Sequence, residues 1–200
     1  GTIASKVDYK TGGVIAAFTA EDILSMFPEL NDIANIKSYL VSSLMSEDIL
    51  FMHYKKISDA IVKEIKEGAD GVIIGHGTDT LAVTAAALAF VLENLPIPVL
   101  LVGSQRSTDR GSTDGAMNLI CAAEFIAKTD FAGVAICMHE NTADNNCLIL
   151  PACKTRKMHT SRRDAFRPIN NKAIARVNYE TREIDFIKTD YSKKPNDKKL

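Results

Sequence analysis

The stretch GHGTDT, at positions 75–80, places a histidine, two threonines and a carboxylate directly after the short apolar run GVII. A threonine hydroxyl becomes a nucleophile when a nearby base removes its proton. No histidine is obviously arranged as that base, and His76, between two glycines, could equally be a structural hydrogen-bonder. A lysine kept neutral by desolvation could serve instead. The stretch therefore indicates nucleophilic chemistry. The structural alternative is that Thr78 or Asp79 only caps the helix that follows.

Two other polar stretches also follow apolar runs, namely GSQRSTDRGSTDG at 103–115 and HENTADNN at 139–146. In doubly wound sheets, ligands bind beyond the carboxyl ends of the parallel strands. We therefore expect all three stretches to lie on one face of the molecule. Gly77 lets the backbone approach a ligand closely, and the amides of Gly77 and Thr78 are natural donors to an oxyanion.

The elements that would position these residues alternate between helix and strand, which predicts an α/β fold. The expected architecture is Rossmann-like and doubly wound, with a mainly parallel sheet and right-handed crossovers. After position 146 the pattern weakens into three short strand candidates. In chain order we predict a helix at 20–27 capped by Thr19, an extended segment at 36–43, a helix at 50–67, a strand at 71–75, a well-buried helix at 81–95, a strand at 97–104, a helix at 113–127 and a strand at 131–139.

The two ends of the sequence bear on its domain organisation. The last ten residues, YSKKPNDKKL, are polar and are interpreted as a linker or tail. The sequence opens on GTIAS with no apolar strand before it. We therefore expect a fragment that lacks its first strand.

Composition favours a soluble cytoplasmic protein. The chain of 200 residues is 46% hydrophobic, enough for a full core, and it has no apolar run of membrane-spanning length. The four cysteines show neither CxxC nor Cys/His metal-ligand spacing, so we expect them to be reduced and mostly buried, and we expect no metal. Acidic residues predominate up to position 150 and basic residues thereafter. A basic segment suits nucleic acid, an acidic partner or simply solvent.

GTIAS at 1–5 and HGTDT at 76–80 together resemble the two threonine motifs of the L-asparaginase/glutaminase family. YKTGGV at 9–14 is similar to the mobile lid of that family, with Tyr9 at the position of the lid tyrosine. SED at 46–48 resembles the loop that holds the α-amino and α-carboxylate groups of the substrate. The resemblance implies a set of substrate contacts, which are Ser46, Glu47, Gly77 and Ser104.

The same resemblance implies hydrolysis of the side-chain amide of glutamine or asparagine. Thr2 would be the nucleophile, assisted by Tyr9, although which threonine attacks first stays open. Thr78, Asp79 and a lysine would form a second hydrogen-bonded group. RKMHTSRRDAFRPIN at 156–170 resembles the segment with the catalytic lysine, which assigns Lys157 as the base and leaves Lys154 as the alternative.

KMHTSRRDAF and GSQRSTDR resemble the amidotransferase branch of the family. The resemblance extends over residues 1–188, which it implies are one N-terminal asparaginase-like α/β domain, with 189–200 as a polar linker toward a C-terminal domain that this sequence lacks. The same resemblance implies that ammonia passes to a partner subunit, which uses ATP and Mg to amidate glutamyl-tRNA(Gln), and that the present chain needs no cofactor. It also implies a homodimeric core, no membrane association and tRNA contact mainly through the partner. Arg162 and Arg163 are interpreted as facing a partner or tRNA, or else as a surface pair. The alternative functions are a free-standing asparaginase and a noncatalytic binding module.

Overall fold

A six-stranded sheet forms the centre of the protein, in a computed structural model that describes residues 2–8, 10, 11, 14–16 and 18–195, with the backbone alone for 2, 14–16 and 20. The strands among these residues are β1 (Ser5–Val7), β2 (Val14–Ala16), β3 (Val72–Gly75), β4 (Pro98–Val102), β5 (Gly133–His139), β6 (Asn146–Pro151), β7 (Thr155–Lys157), β8 (Phe166–Pro168), β9 (Ala175–Asn178) and β10 (Ile184–Phe186).

The order of strands across the sheet is β10, β9, β6, β5, β4, β3. Strands β3, β4 and β5 are parallel, whereas β6, β9 and β10 are joined to the sheet by antiparallel pairing. The sheet is therefore mixed, with its parallel part over three strands. Two separate antiparallel hairpins, β1–β2 and β7–β8, stand beside it.

Helices cover both faces of the sheet, which confirms the α/β, doubly wound architecture. Along β4 the side chains alternate, so that Leu100 and Val102 join one buried cluster while Val99 and Leu101 join the other. The helices are α1 (Ala20–Met26), α2 (Glu29–Ile33), α3 (Phe51–Lys66), α4 (Leu81–Val91) and α5 (Gly115–Lys128). The first cluster contains apolar residues of α1, α2 and α5, and the second contains those of α3 and α4.

Local sequence signals explain where two of these helices begin and end. Thr19 accepts a hydrogen bond from the Asp22 amide, and the Asp22 carboxylate accepts one from the Thr19 amide, which together form a capping box at the start of α1. Gly68 follows α3 with a φ of 95°, a conformation that glycine adopts without steric cost. Both boundaries lie within one residue of the predicted ones.

Helix α4 is less buried than its sequence predicts. Its residues are apolar nearly all round, yet Val83, Phe90 and Val91 are 58%, 75% and 59% exposed. Leu81 and Leu88 face the core and are fully buried. The prediction of burial on every side is wrong, because an all-apolar composition does not specify which face of a helix meets the sheet.

The segment expected to be extended, residues 36–43, contains neither helix nor strand. Cys121, Cys137 and Cys147 are buried and Cys153 is exposed, and all four thiols are free, as expected. No helix in the described part of the chain is both long enough and apolar enough to cross a bilayer.

Candidate active site

Lys157 lies between two side chains of the GHGTDT stretch. Its Nζ donates to Thr78 Oγ1 and to Asp79 Oδ1, both at 2.8 Å. The Lys157 side chain is only 12% exposed, whereas that of Asp79 is 66% exposed. The three residues form one hydrogen-bonded group at the carboxyl end of β3, in which the lysine side chain is largely buried and the carboxylate is exposed to solvent.

The β7–β8 hairpin brings the lysine to this position. Lys157 is the last residue of β7 and pairs with Phe166, which is fully buried and anchors the hairpin in the core. Lys154, the alternative lysine, is exposed in a 3₁₀ turn that precedes β7. The amine beside Thr78 is therefore that of Lys157.

Thr78 and Asp79 do not cap the helix that follows them. The residue before α4 is Thr80, which makes no side-chain cap, and its hydroxyl instead donates to the Ser46 carbonyl at 2.7 Å. The structural alternative for the Thr-Asp pair is thus not what the structure shows. Both side chains are directed toward Lys157.

Gln105 is a member of this group that the sequence does not single out. Its Oε1 accepts from Thr78 Oγ1 at 2.9 Å, and its Nε2 donates to the Arg162 carbonyl at 3.0 Å. Gly103 makes room for the contact, since a Cβ there would lie 2.8 Å from Thr78 Cγ2. The only sequence signal is the density of polar residues after β4, which does not distinguish Gln105 from its neighbours.

Asp114 fixes the loop that carries Gln105. Its carboxylate accepts hydrogen bonds from the Ser104 hydroxyl at 2.9 Å and from the backbone amides of Gln105 and Arg106 at 3.0 Å. Ser104 is fully buried. The Ser104 hydroxyl is thus used inside the loop, at the base of the site.

The same loop holds the segment that contains Thr2. The backbone of Thr2 lies in a 3₁₀ turn, Thr2–Ala4. Thr108 donates from its hydroxyl to the Ile3 carbonyl at 2.6 Å and from its amide to the Ser5 carbonyl at 3.2 Å. Ile3 is buried and packs over Gly75 at the end of β3. The chain at Thr2 therefore runs beside the strand end that precedes Thr78, while the Thr2 side chain and Tyr9 lie outside the described residues.

Ser46 and Gly77 are in close contact. A Cβ at Gly77 would lie 2.6 Å from Ser46 Cβ and 2.7 Å from its Oγ, so only glycine fits this position without displacement. Ser46 is buried, whereas Glu47, in the same 3₁₀ turn, is exposed. The turn therefore brings Ser46 against Gly77 of the GHGTDT stretch, while the substrate contacts of Ser46, Glu47 and Gly77 stay predictions.

His76 is buried, and its ring contacts no threonine hydroxyl among the side chains that the structure describes. Its Nδ1 lies 2.7 Å from the Gly77 carbonyl, which only accepts, so Nδ1 carries the proton. Burial lowers the pKa of His76 below its usual value of 6.5. A neutral histidine facing its own loop is a structural hydrogen-bonder, which leaves the lysine as the base available to Thr78.

The two arginines after the lysine are paired within the chain. Arg162 is bidentate with Asp164, and the guanidinium lowers the pKa of that carboxyl. Arg163 binds the Asp144 carboxylate and the Thr142 carbonyl, and its side chain is 17% exposed. Arg163 therefore joins the loop after β5 to the loop after β7, and whether the arginine pair also faces a partner or tRNA stays a prediction.

The arrangement combines a hydroxyl, an amine and a carboxylate in hydrogen-bond contact, the groups that nucleophilic catalysis at an amide requires. The backbone amides of Gly77 and Thr78 border it. Among the described residues, no group of three histidine, cysteine, aspartate or glutamate side chains is placed to hold a metal ion.

Comparison with known proteins agrees with this geometry. The sequence profile described as "Asparaginase, N-terminal" matches residues 1–191. Over 192 residues, the chain is 53% identical to the D subunit of the glutamyl-tRNA(Gln) amidotransferase of Methanosarcina barkeri; the match covers 94% of the chain and 45% of that protein. It is 50% identical to the protein of the same name from Pyrococcus furiosus, with 97% of the chain and 44% of the relative covered. The chain thus spans less than half the length of these relatives.

Two solved structures share the fold. A probable cytoplasmic L-asparaginase from Campylobacter jejuni superimposes with a TM-score of 0.82 at 26% identity, covering 94% of the present chain and 56% of the other. The thermostable L-asparaginase from Thermococcus kodakarensis gives a TM-score of 0.74 at 29% identity, covering 98% and 56%.

Proposed function

The chain belongs to the asparaginase family, and from that membership we propose that it is the amide-hydrolysing domain of a tRNA-dependent amidotransferase. In this proposal it releases ammonia from glutamine, or from asparagine. The observation that carries the proposal is the contact of Lys157 Nζ with Thr78 Oγ1 and Asp79 Oδ1. The sequence identity of 53% and 50% with two amidotransferase D subunits favours this role over that of a free-standing asparaginase.

The reaction has two halves. The Thr2 hydroxyl oxygen adds to the carboxamide carbon, the carbon–nitrogen bond breaks, and the amine leaves as ammonia with the threonine proton. An ester of Thr2 remains. Water then adds to the ester carbon, the bond to the threonine oxygen breaks, and the acid is released as the hydroxyl regains a proton.

The described residues supply three functions for this sequence. Lys157, Thr78 and Asp79 form a path on which a proton moves between the substrate side and the amine. The amides of Gly77 and Thr78 stabilise the oxyanion and so lower the barrier. Removing one donor of this kind typically raises the barrier by about 2.7–4 kcal/mol. In the family assignment, Tyr9 assists the nucleophile.

In this proposal the 3₁₀ turn Ser46–Asp48 binds the substrate. Ser46 and Glu47 would hold the α-amino and α-carboxylate groups of the amino acid. Ser104 would act through the loop that it stabilises, since its hydroxyl is bound to Asp114.

Assembly completes the proposal. The ammonia passes to a partner subunit that uses ATP and Mg to activate glutamyl-tRNA(Gln), and the present chain contributes no cofactor. The chain forms a homodimeric core, acts in the cytoplasm, and meets tRNA mainly through the partner.

The test uses the full-length protein with and without its amidotransferase partner and glutamyl-tRNA(Gln). Ammonia release from glutamine and from asparagine is measured in each case, with Thr78→Val as the inactive control. We expect release that depends on the threonine and increases with partner and tRNA. Rapid asparagine turnover without a partner would instead favour a free-standing asparaginase, and no release from either amide would exclude both functions.

A further inference from the structure

We propose that Gln105 is a positioning residue that sets the direction of the Thr78 hydroxyl proton and thereby makes Lys157 the donor in the contact between these two side chains. The inference rests on the proposed amidase function and extends it to a residue outside the threonine, lysine and aspartate set.

The orientation of the Gln105 carboxamide is fixed by its contacts. The Arg162 carbonyl, 3.0 Å from Nε2, has no hydrogen to donate, so the atom facing it must be the nitrogen. Oε1 is therefore the atom 2.9 Å from Thr78 Oγ1. Since Oε1 only accepts, the single hydroxyl proton of Thr78 is directed at Gln105.

The position of the Arg162 carbonyl is itself fixed. It accepts a second hydrogen bond from the Ala165 amide at 3.2 Å, and the Arg162 amide donates to His159 Nδ1 at 3.2 Å. The Arg162 guanidinium is bidentate with Asp164, which is almost fully buried. At the main chain, the backbone amide of Gln105 donates to the Asp114 carboxylate at 3.0 Å. Both ends of Gln105 are thus anchored, and its carboxamide has one stable direction.

The direction of the Thr78 proton determines what Lys157 can do. With the proton on the Gln105 side, Thr78 presents a lone pair to Lys157, 2.8 Å away, so the lysine donates to Thr78 as it also donates to the Asp79 carboxylate. To accept a proton from Thr78, the lysine must be neutral and the hydroxyl must turn away from Gln105. The Gln105 carboxamide opposes that turn, and it holds the free site in the arrangement in which the lysine donates.

Two substitutions with opposite expected effects test this. Gln105→Met keeps an unbranched side chain of similar length and removes the acceptor, so the Thr78 proton is free to turn toward a neutral lysine. Gln105→Glu keeps an oxygen toward Thr78 and makes it a stronger, charged acceptor, but it loses the donor to the Arg162 carbonyl and adds a negative charge beside the threonine and lysine. The control is Ser112→Ala, in the same loop, whose exposed hydroxyl accepts a hydrogen bond from the Arg106 guanidinium and does not contact Thr78 or Lys157.

The measurement is the pH profile of kcat/KM for ammonia release by the full-length protein with its partner, because kcat/KM reports groups of the free enzyme. We expect the acid-side midpoint to move down by about half a pH unit or more in Gln105→Met, the size expected for one neutral hydrogen bond. In Gln105→Glu it should move up, and in Ser112→Ala it should stay in place.

A purely structural role would lower activity or stability without moving the midpoint in opposite directions. Midpoints of both Gln105 variants that coincide with the wild type would therefore overturn the inference while leaving the proposed function intact. A wild-type protein that releases no ammonia would overturn the proposed function, and this inference with it. Because the charge of Gln105→Glu raises the midpoint by itself, the shift in Gln105→Met decides, and an unmoved midpoint in that variant overturns the inference. If Gln105→Met fails to fold, Gln105→Leu takes its place.

Discussion

The hydroxyl of Thr108 donates to the carbonyl of Ile3 at 2.6 Å, across a sequence separation of 105 residues. The bond joins the loop after β4 to the turn that contains Thr2. Because Ile3 is buried, its carbonyl has no ready replacement from solvent when the hydroxyl is removed.

Thr108→Val is therefore expected to lower the free energy of unfolding by about 1–3 kcal/mol. It should also lower kcat, because the backbone next to Thr2 loses its anchor. Chemical denaturation and ammonia release are the measurements. Thr129→Val is the matched control, since Thr129 makes a bond of 2.7 Å to the Phe125 carbonyl at the end of α5, away from the site. Equal losses of activity in the two variants would contradict a specific role for Thr108.

Lys157→Met and Thr78→Val should each reduce kcat by about 10²–10⁴-fold, the contribution of a positioned proton-transfer group. The reason is that each removes one end of the 2.8 Å contact between the amine and the hydroxyl. The melting temperature should also fall somewhat, because Thr78 and Lys157 are largely buried and each substitution leaves a polar partner unpaired, so kcat is compared at a temperature where all variants are folded. Lys154→Met should retain activity. The opposite result, an active Lys157→Met and an inactive Lys154→Met, would transfer the role to Lys154.

Gly77→Ala should lower kcat/KM by about 10- to 100-fold, as expected when substrate-positioning groups are displaced by a fraction of an ångström to an ångström. The added Cβ would meet Ser46 at 2.6 Å, so the 3₁₀ turn has to move. Gly111→Ala is the control, since a Cβ there meets nothing within 4 Å. Steady-state kinetics with glutamine separates the two variants. Unchanged kinetics in Gly77→Ala would show that the turn does not bind substrate.

The pH dependence of folding should reflect His76. Burial places the pKa of His76 below its usual value of 6.5, so the unfolded chain binds this proton first as the pH falls. Stability contributed by the neutral ring is present above pH 6.5 and is lost as the pH falls below it. Burial lowers the pKa of His139 as well, which adds in the same direction.

His76→Gln should therefore make the unfolding free energy less dependent on pH below about 6.5, with at most about 1.4 kcal/mol per pH unit removed for one proton. Urea denaturation at several pH values measures this. His53→Gln, in the half-buried first turn of α3, serves as a comparison. A steeper pH dependence in His76→Gln than in the wild type would contradict the expected sign.

The elements that sequence predicts well are those with a local cause. Helix α3 follows from the spacing of Ile57, Ile61 and Ile65, and α1 follows from the Thr19 and Asp22 capping box. The order of the strands in the sheet, in contrast, has no local cause in the sequence. β6 lies between β5 and β9 because the chain leaves the sheet for the β7–β8 hairpin and returns, and no local pattern encodes that excursion.

The site divides along the same line. GHGTDT is recognisable because its polar residues are adjacent in sequence. The role of Gln105 depends on a meeting with Arg162, 57 residues away, and glutamine carries no motif signal by itself. The contacts of Arg163 cannot be predicted from the sequence either, because the adjacent arginines give no sign that one of them binds Asp144 and Thr142.

The Thr108–Ile3 and Lys157–Thr78 contacts close over 105 and 79 residues of chain. Contacts of such long range form slowly, because the entropy of closing the intervening chain is lost before the contact stabilises anything. The three-stranded parallel part of the sheet and its helices draw on much more local contacts. During folding, the chain should therefore acquire its secondary structure well before Thr78 and Lys157 meet, so that an incompletely folded molecule holds the sheet and its helices without the hydrogen-bonded group at their edge.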